Sequence, residues 1–202
     1  MPGAPIIKPV WAVLLAAGAA TRFGGNKQLA EFRGEPLARH AMRLATEVCG
    51  NRIILVTGHE WRAVNAACQP NPGFFVVNDA YAKGLGTSLA LGVRAVPHTA
   101  GAVLVLLADQ PLVTVRHLRT LVDTWTGDEQ EIVASAYANT AGVPALFAAG
   151  CFEQLRLLSG DSGARDLLHD ARYSLRTLAF ADAATDIDTT DDLLRIENNV
   201  RS

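Results

Sequence analysis

The sequence predicts an α/β fold: a single doubly wound, mostly parallel sheet, with strands added late in the chain as antiparallel edges. Three observations point there. Apolar runs bounded by turn residues recur at Val10–Ala16, Ile53–Thr57, Phe74–Val77 and Val103–Leu107. They are apolar throughout and not alternately, as strands covered on both faces are. Helical patterns separate them, and each is long enough to return the chain in parallel. The composition also suits one packed core: 202 residues, 50% hydrophobic, with 17 Gly against 9 Pro, which disfavours a low-complexity chain.

The elements follow in order. The run from Val10 imitates the apolar centre of a secretory signal, yet its basic flank is Lys8 alone. It leads straight into Thr21-Arg22-Phe23-Gly24-Gly25-Asn26-Lys27, a loop with chemistry of its own, and so reads as a buried first strand. Pro36 suits the first turn of a helix that sets Leu37, Ala41, Leu44, Ala45 and Val48 on one face. Further helices fit Glu60–Cys68, Thr87–Val96, Val115–Thr124, Ala164–His169 and Asp191–Asn199. From about Glu131 the texture changes to short strands at Glu131–Ala138, Gly142–Phe147 and Leu175–Phe180. No linker, composition shift or internal repeat divides the chain, so residues 1–202 are expected to form a single domain.

Charge and cysteine usage narrow the function. Eighteen basic against twenty acidic side chains leave −2, without the broad cationic face that nucleic acid or an anionic membrane requires. No segment approaches the ~18 apolar residues of a membrane span. Cys49, Cys68 and Cys151 stand far apart among apolar neighbours with no CxxC pair. They read as buried free thiols, and a cytoplasmic location is expected. The histidines, His40, His59, His98, His117 and His169, do not cluster, and no GxSxG elbow is present, so covalent catalysis has no support.

Chemistry concentrates at the ends of strands. Leu15-Ala16-Ala17-Gly18 closes the first strand with small residues that let a ligand approach the backbone, and Arg22 and Lys27 follow with positive charge. Neither GxGxxG nor a Walker A sequence is present; the alternative is a glycine-rich surface turn with two solvated cations. Asp109, in Ala108-Asp109-Gln110-Pro111, follows the most apolar strand, where a hard cation could bridge it to phosphate. Its alternative role, capping the helix near Val115, suits Thr114 better. Asp186 and Asp188, spaced i, i+2 in an extended segment, point the same way, and either could complete a metal site with Asp109. Thr189 or Thr190 would then cap the closing helix, whose start is rich in Asp and Thr for structural reasons alone. Asn78, followed by Gly84, Gly86, Thr87 and Ser88, opens another helix with backbone N–H groups available. Gly160-Asp161-Ser162-Gly163 has the same character.

Together these stretches resemble nucleotidyltransferases with a MobA-like fold. The signature is Leu15-Ala16-Ala17-Gly18 with Arg22, Gly24 or Gly25, and Lys27. Gly84-Leu85-Gly86-Thr87-Ser88-Leu89, Ala108-Asp109-Gln110-Pro111, Gly142-Val143-Pro144-Ala145-Leu146-Phe147, Gly160-Asp161-Ser162-Gly163-Ala164-Arg165 and Asp186-Ile187-Asp188-Thr189 are similar to the molybdenum cofactor cytidylyltransferase, or MocA-like, branch. The match runs in order along nearly the whole chain. It implies a Rossmann-like nucleotidyltransferase fold and Mg²⁺-dependent transfer of a nucleoside monophosphate from an NTP to a phosphorylated acceptor, releasing pyrophosphate. In that branch the NTP is CTP, the acceptor is a molybdopterin-type cofactor, and a client molybdoenzyme is a further partner. Carried over, Leu15, Ala16, Ala17, Gly18, Arg22 and Lys27 would hold the nucleotide, with Arg22, Lys27 and Asp109 catalytic. Asp109 would bind Mg²⁺, with Asp188 preferred as second ligand and Asp186 in reserve. Asn78, Gly86 and Ser88 would lie by the base or ribose.

Ala17 favours cytidine, since the guanylyl branch usually reads Leu-Ala-Gly-Gly there. Phe23-Gly24-Gly25-Asn26 and Thr190 depart from the commoner pattern, the first blurring glycine register in the phosphate loop and the second touching helix start. An anionic acceptor phosphate needs no catalytic base, and such transfer relies on positioning and charge neutralisation. Other readings remain open: guanylyl transfer, a sugar- or alcohol-phosphate acceptor, or a maturation factor that carries the cofactor without turnover. A nicotinamide-dependent reductase would share the sheet but lacks the dinucleotide fingerprint.

Overall fold

The apolar runs become neighbours in one seven-stranded sheet. The computed structural model describes residues 8–19, 23–70, 72–161 and 163–201. In chain order the elements are β1 (Val10–Ala16), β2 (Glu31–Phe32), β3 (Glu35–Pro36), α1 (Leu37–Cys49), β4 (Ile53–Thr57), α2 (Trp61–Ala67), β5 (Phe74–Val77) and α3 (Leu85–Ala95). Then come β6 (Ala102–Leu107), α4 (Val115–Thr124), β7 (Glu131–Tyr137), β8 (Thr140–Ala148), α5 (Phe152–Leu157), β9 (Ser174–Ala179) and α6 (Thr190–Arg201). The strand order is β5-β4-β1-β6-β8-β7-β9, and β2–β3 form a separate small hairpin.

The pleat of β1 explains the layers. Ala12 and Leu14 face a core shared with α1 and α4, whereas Val13 and Leu15 face a second core shared with α3 and α5. Leu14, Leu55 and Leu104 are wholly buried, each contributing about 2 kcal/mol in transfer from water. A one-residue slip would exchange the two faces, but both are apolar. Register is therefore held by the ladder, with Leu15 opposite Val56 on one side and Leu107 on the other.

Several details differ from the expectation. Phe74–Val77 is not covered on both faces: β5 is the sheet's edge, with Phe74 62% and Phe75 43% exposed. Those rings stack instead on Trp11 and Trp61, with centroids 6.1 Å apart in each pair. Among the late strands only β8 is antiparallel, and it lies inside the sheet between β6 and β7. A two-residue turn at Ala138 and Asn139, both at positive φ, folds β8 back on β7. The edge strand β9 runs parallel to β7 because α5 carries the chain from the starting end of β7 to the Gly160 turn and Ala164–His169 brings it back, the Ser174 N–H donating to the Gln130 carbonyl at 2.9 Å. Ala164–His169 winds as a 3₁₀ helix, not α, and α3 begins two residues before Thr87. Thr114 caps α4 as expected, accepting the His117 N–H at 3.2 Å. No helix of the described residues is long and apolar enough to cross a membrane.

His117 gives the fold a pH dependence. Ser135 Oγ donates to the Pro144 carbonyl at 2.6 Å, so at 2.7 Å it must accept from His117 Nε2. The imidazole stacks on Phe180 with centroids 3.9 Å apart, and burial holds its pKa below the usual value. The unfolded chain therefore takes up this proton first, so stability is full above about pH 6.5 and falls on acidification. His117→Gln keeps the donor and removes the titration. Its Tm is expected to fall less than that of the wild type between pH 7 and 5; equal acid slopes would remove His117 from the effect.

Candidate functional site

Parallel β1 and β6 end side by side, and the chain leaves them for opposite halves of the sheet, which opens a crevice at their carboxyl ends. The Ala108 N–H donates to the Leu15 carbonyl at 3.1 Å, so β6 carries Asp109 to the first turn after β1. The Asp109 carbonyl accepts the Ile187 N–H at 3.0 Å, fastening the final loop to the same spot. Ile187 is fully buried in a small cluster with Phe32, Leu37 and Ile196, which leaves Asp186 and Asp188 on either side of a fixed plug. Thr189 and Asp192 then cap α6 reciprocally: the Thr189 N–H donates to Asp192 Oδ2 at 2.9 Å, and the Asp192 N–H to Thr189 Oγ1 at 3.2 Å.

Lys27 draws these pieces together. It begins a one-turn 3₁₀ helix, Lys27–Leu29, whose Asn26 cap accepts from the Gln28 N–H at 3.1 Å. Its Nζ donates to Asp109 Oδ2 at 2.7 Å and to Asp188 Oδ1 at 3.2 Å, and the residue is only 8% exposed. Burial opposes its charge, but Asp109 and then Asp188 outweigh that and hold the pKa above the usual lysine value. Asp186 behaves oppositely. Desolvation first, and repulsion from Asp109 next, push its carboxyl up to about 6, although the residue keeps an open side.

Two cavities meet here. The first, about 390 Å³, is lined by Leu15, Ala17, Gly18, Lys27, Gln28, Ser88 and Asp109 among others. The second, about 400 Å³, is lined by Gln110, Tyr137, Arg165 and Asp186 over an apolar floor. They share Leu85, Leu107 and Asp161. Asp109 faces one and Gln110 the other, so a single peptide marks the border.

The sequence-derived candidates thus divide. Leu15, Ala17, Gly18, Lys27, Ser88 and Asp109 converge on the first cavity. Ala16 is buried in the α1-side core. Asn78 lies behind the wall, donating from Nδ2 to Thr87 Oγ1 and Ser88 Oγ at 2.9 Å each. The Gly86 N–H is taken by the Gly160 carbonyl at 2.9 Å, so it ties α3 to the Gly160–Asp161 turn. Asp188 joins Asp109 through Lys27, whereas Asp186 lines the second cavity. Arg22 lies outside the described residues. Gln28 and Tyr137 escaped the sequence reading, and Gln110 and Arg165 entered it only as motif members without a role; the one available signal was that both glutamines directly follow a charged residue of a motif. The three cysteines are buried, their thiols pushed up to about 11, 11 and 12, and take no part.

A divalent cation fits this donor set. Asp109 Oδ1 is buried without a hydrogen-bond partner, while its other oxygen and Asp188 already hold a cationic ammonium. Among the described residues no three His, Cys, Asp or Glu side chains form a closed cage. That suits Mg²⁺, which commonly takes one or two carboxylates and completes its shell with phosphate and water.

Known proteins are similar to this chain in sequence and fold. The MobA-like NTP transferase domain model matches residues 12–177. Nicotine blue oxidoreductase of Paenarthrobacter nicotinovorans is 32% identical over 199 residues, covering 93% of this chain and 96% of the relative. The purine catabolism protein PucB of Bacillus subtilis is 30% identical over 188 residues, covering 89% and 90%. Rv0371c of Mycobacterium tuberculosis superposes with a TM-score of 0.82 at 30% identity over 95% of this chain and 99% of that one. Its complex with manganese gives 0.78 at 30% identity, covering 94% and 98%. The chain belongs to the MobA-like NTP transferase family, on the MocA-like branch with the first two of these relatives, and is a nucleotidyltransferase.

Proposed function

We propose that this nucleotidyltransferase moves CMP from CTP to the phosphate of a molybdopterin-type acceptor and releases pyrophosphate. The observation that carries the reading is the Lys27 bridge between Asp109 and Asp188, set where two cavities of similar size adjoin. One cavity takes the nucleotide and the other the acceptor, with the reacting phosphates meeting at the Asp109–Gln110 border. Gly18 offers close backbone approach, and Lys27 offers a protonated ammonium to the triphosphate. Asp109 and Asp188 would hold Mg²⁺, which supplies neutralisation of phosphate charge. An acceptor phosphate oxygen attacks the α-phosphorus, the bond from that phosphorus to the bridging oxygen breaks, and pyrophosphate carries the electron pair away. No proton has to be removed, which agrees with the absence of a histidine, among the described residues, from both cavities.

The manganese complex of the mycobacterial protein supports a divalent ion, and Ala17 in the nucleotide wall supports cytidine. Arg165, which has no acidic ion-pair partner among the described residues, suits an anionic acceptor. The buried thiols support a cytoplasmic site of action, with a client molybdoenzyme receiving the product.

Pyrophosphate release by the purified chain, with CTP or GTP and with or without Mg²⁺ and the molybdopterin acceptor, tests the reading. Release is expected only with CTP, acceptor and metal together. Preference for GTP would overturn the base assignment, a sugar phosphate as best acceptor would overturn the acceptor, and cofactor binding without turnover would favour a carrier. The name of the Paenarthrobacter relative favours a second reading, hydride transfer. NADPH oxidation by the same preparation, with no pyrophosphate formed, would support it.

A further inference from the structure

Lys27 faces two demands that cannot be met at once. Its ammonium lies 2.7 Å from Asp109 Oδ2 and 3.2 Å from Asp188 Oδ1, so it occupies oxygens that would take a divalent ion. Among the described residues no other cation pairs with either carboxylate. Two carboxylates balance one divalent ion. With the ammonium still bonded to both, the ion would meet a like charge at close range. An ion held by both oxygens therefore requires Lys27 to withdraw.

The chain provides for that withdrawal. The Lys27 backbone is anchored, since its carbonyl accepts the Ala30 N–H at 3.0 Å and Asn26 caps the turn. Its four-carbon stem is flexible and ends in a compact charge with three donors. Lys27 also lines the first cavity beside Gly18, Ser88 and Asp109, so the ammonium can swing into that space while the 3₁₀ turn stays in place. It cannot rest there alone, because a buried ammonium without an acceptor is costly and Lys27 is buried. Lys27 leaves its carboxylates only for another anion, and phosphates entering the first cavity are such an anion. The same exchange frees Asp109 Oδ2 next to an Oδ1 that already lacks a partner.

We propose that Lys27 is an exchangeable internal counter-ion. It closes the Asp109–Asp188 pair until nucleotide phosphates draw it into the first cavity, and so makes divalent-ion affinity depend on phosphate binding. The proposal rests on reading Asp109 and Asp188 as the ion's ligands and the first cavity as the nucleotide's.

The test needs no CTP. Mn²⁺ alone is titrated into the full chain and into two variants. Lys27→Met keeps most of the stem and removes the charge; Arg165→Met removes a positive charge from the wall of the neighbouring cavity and controls for the overall field. Lys27→Met is expected to bind Mn²⁺ at least about tenfold more tightly than the wild type, and Arg165→Met within about twofold of it. If Lys27→Met fails to fold, the wild type decides. The sequence has three lysines, of which Lys8 and Lys83 are exposed, so a solvent-protected ammonium signal in NMR spectra belongs to Lys27. Inorganic tripolyphosphate in metal-free buffer is expected to shift that signal. Mn²⁺ affinity unchanged or absent in Lys27→Met, equal tightening in both variants, or a Lys27 signal unmoved by tripolyphosphate would overturn the proposal. Pyrophosphate release from CTP is measured separately. A chain that shows this exchange yet never turns over CTP would sink the transfer reading and leave the counter-ion standing; turnover with unchanged Mn²⁺ affinity in Lys27→Met would do the reverse.

Discussion

Replacing Asp109 with asparagine is expected to lower pyrophosphate release by about a thousandfold or more, with little change in Tm. Asparagine keeps the shape of the side chain but loses the charge that would face a divalent ion. Removing one such electrostatic contact from a preorganised site costs about 4 kcal/mol of transition-state stabilisation, which is roughly three decades in rate. The fold is spared because Lys27 retains Asp188 at 3.2 Å and the Asp109 backbone bond to Ile187 is untouched. Alanine would be a poorer test, since it would also empty space beside a lysine that is only 8% exposed. Initial rates with saturating CTP and Mg²⁺, alongside thermal melts, check both halves. A variant within tenfold of the wild-type rate would remove Asp109 from the chemistry.

The second large effect is structural. Gly84→Ala is expected to cost about 3 kcal/mol or more and to weaken CTP binding as well. Gly84 sits at φ 116 and ψ 169, a region open essentially to glycine alone, where a side chain costs about 1–3 kcal/mol in strain. A β-carbon there would also strike the Gly160 backbone and the Asp161 carboxylate. Those two residues cannot retreat freely, because the Gly160 carbonyl accepts the Gly86 N–H and Asp161 lines both cavities. Urea denaturation and CTP titration of the variant measure the two consequences. Wild-type values in both would show that the Gly160–Asp161 turn is not coupled to the start of α3.

The framework was readable because its cause is local. β1, β4 and β6 are buried on both faces, so their residues are apolar without interruption, and that pattern needs no knowledge of neighbours. Phe74 and Phe75 misled for the same reason: an edge strand whose rings stack on Trp11 and Trp61 is spelled like a central one. The interior place of β8 depends on a hairpin turn at Ala138-Asn139, which lacks the glycine that usually marks it. At the site, Lys27, Asp109 and Asp188 were legible as charges beside strand ends. That Asp186 lines the second cavity while Asp188 meets Lys27 was not, because both partners come from segments remote in the sequence. Gln28 and Gln110 owe their interest to burial, which no single residue type announces.

Lys27 and Asp188 lie 161 positions apart, so this ion pair joins segments remote from one another along the polypeptide. During synthesis every strand of the sheet emerges from the ribosome before Asp188 does, and a nascent chain with its β-scaffold already formed still lacks that partner for the ammonium. The bridge therefore closes late, when Ile187 drops into its socket among Phe32, Leu37 and Ile196.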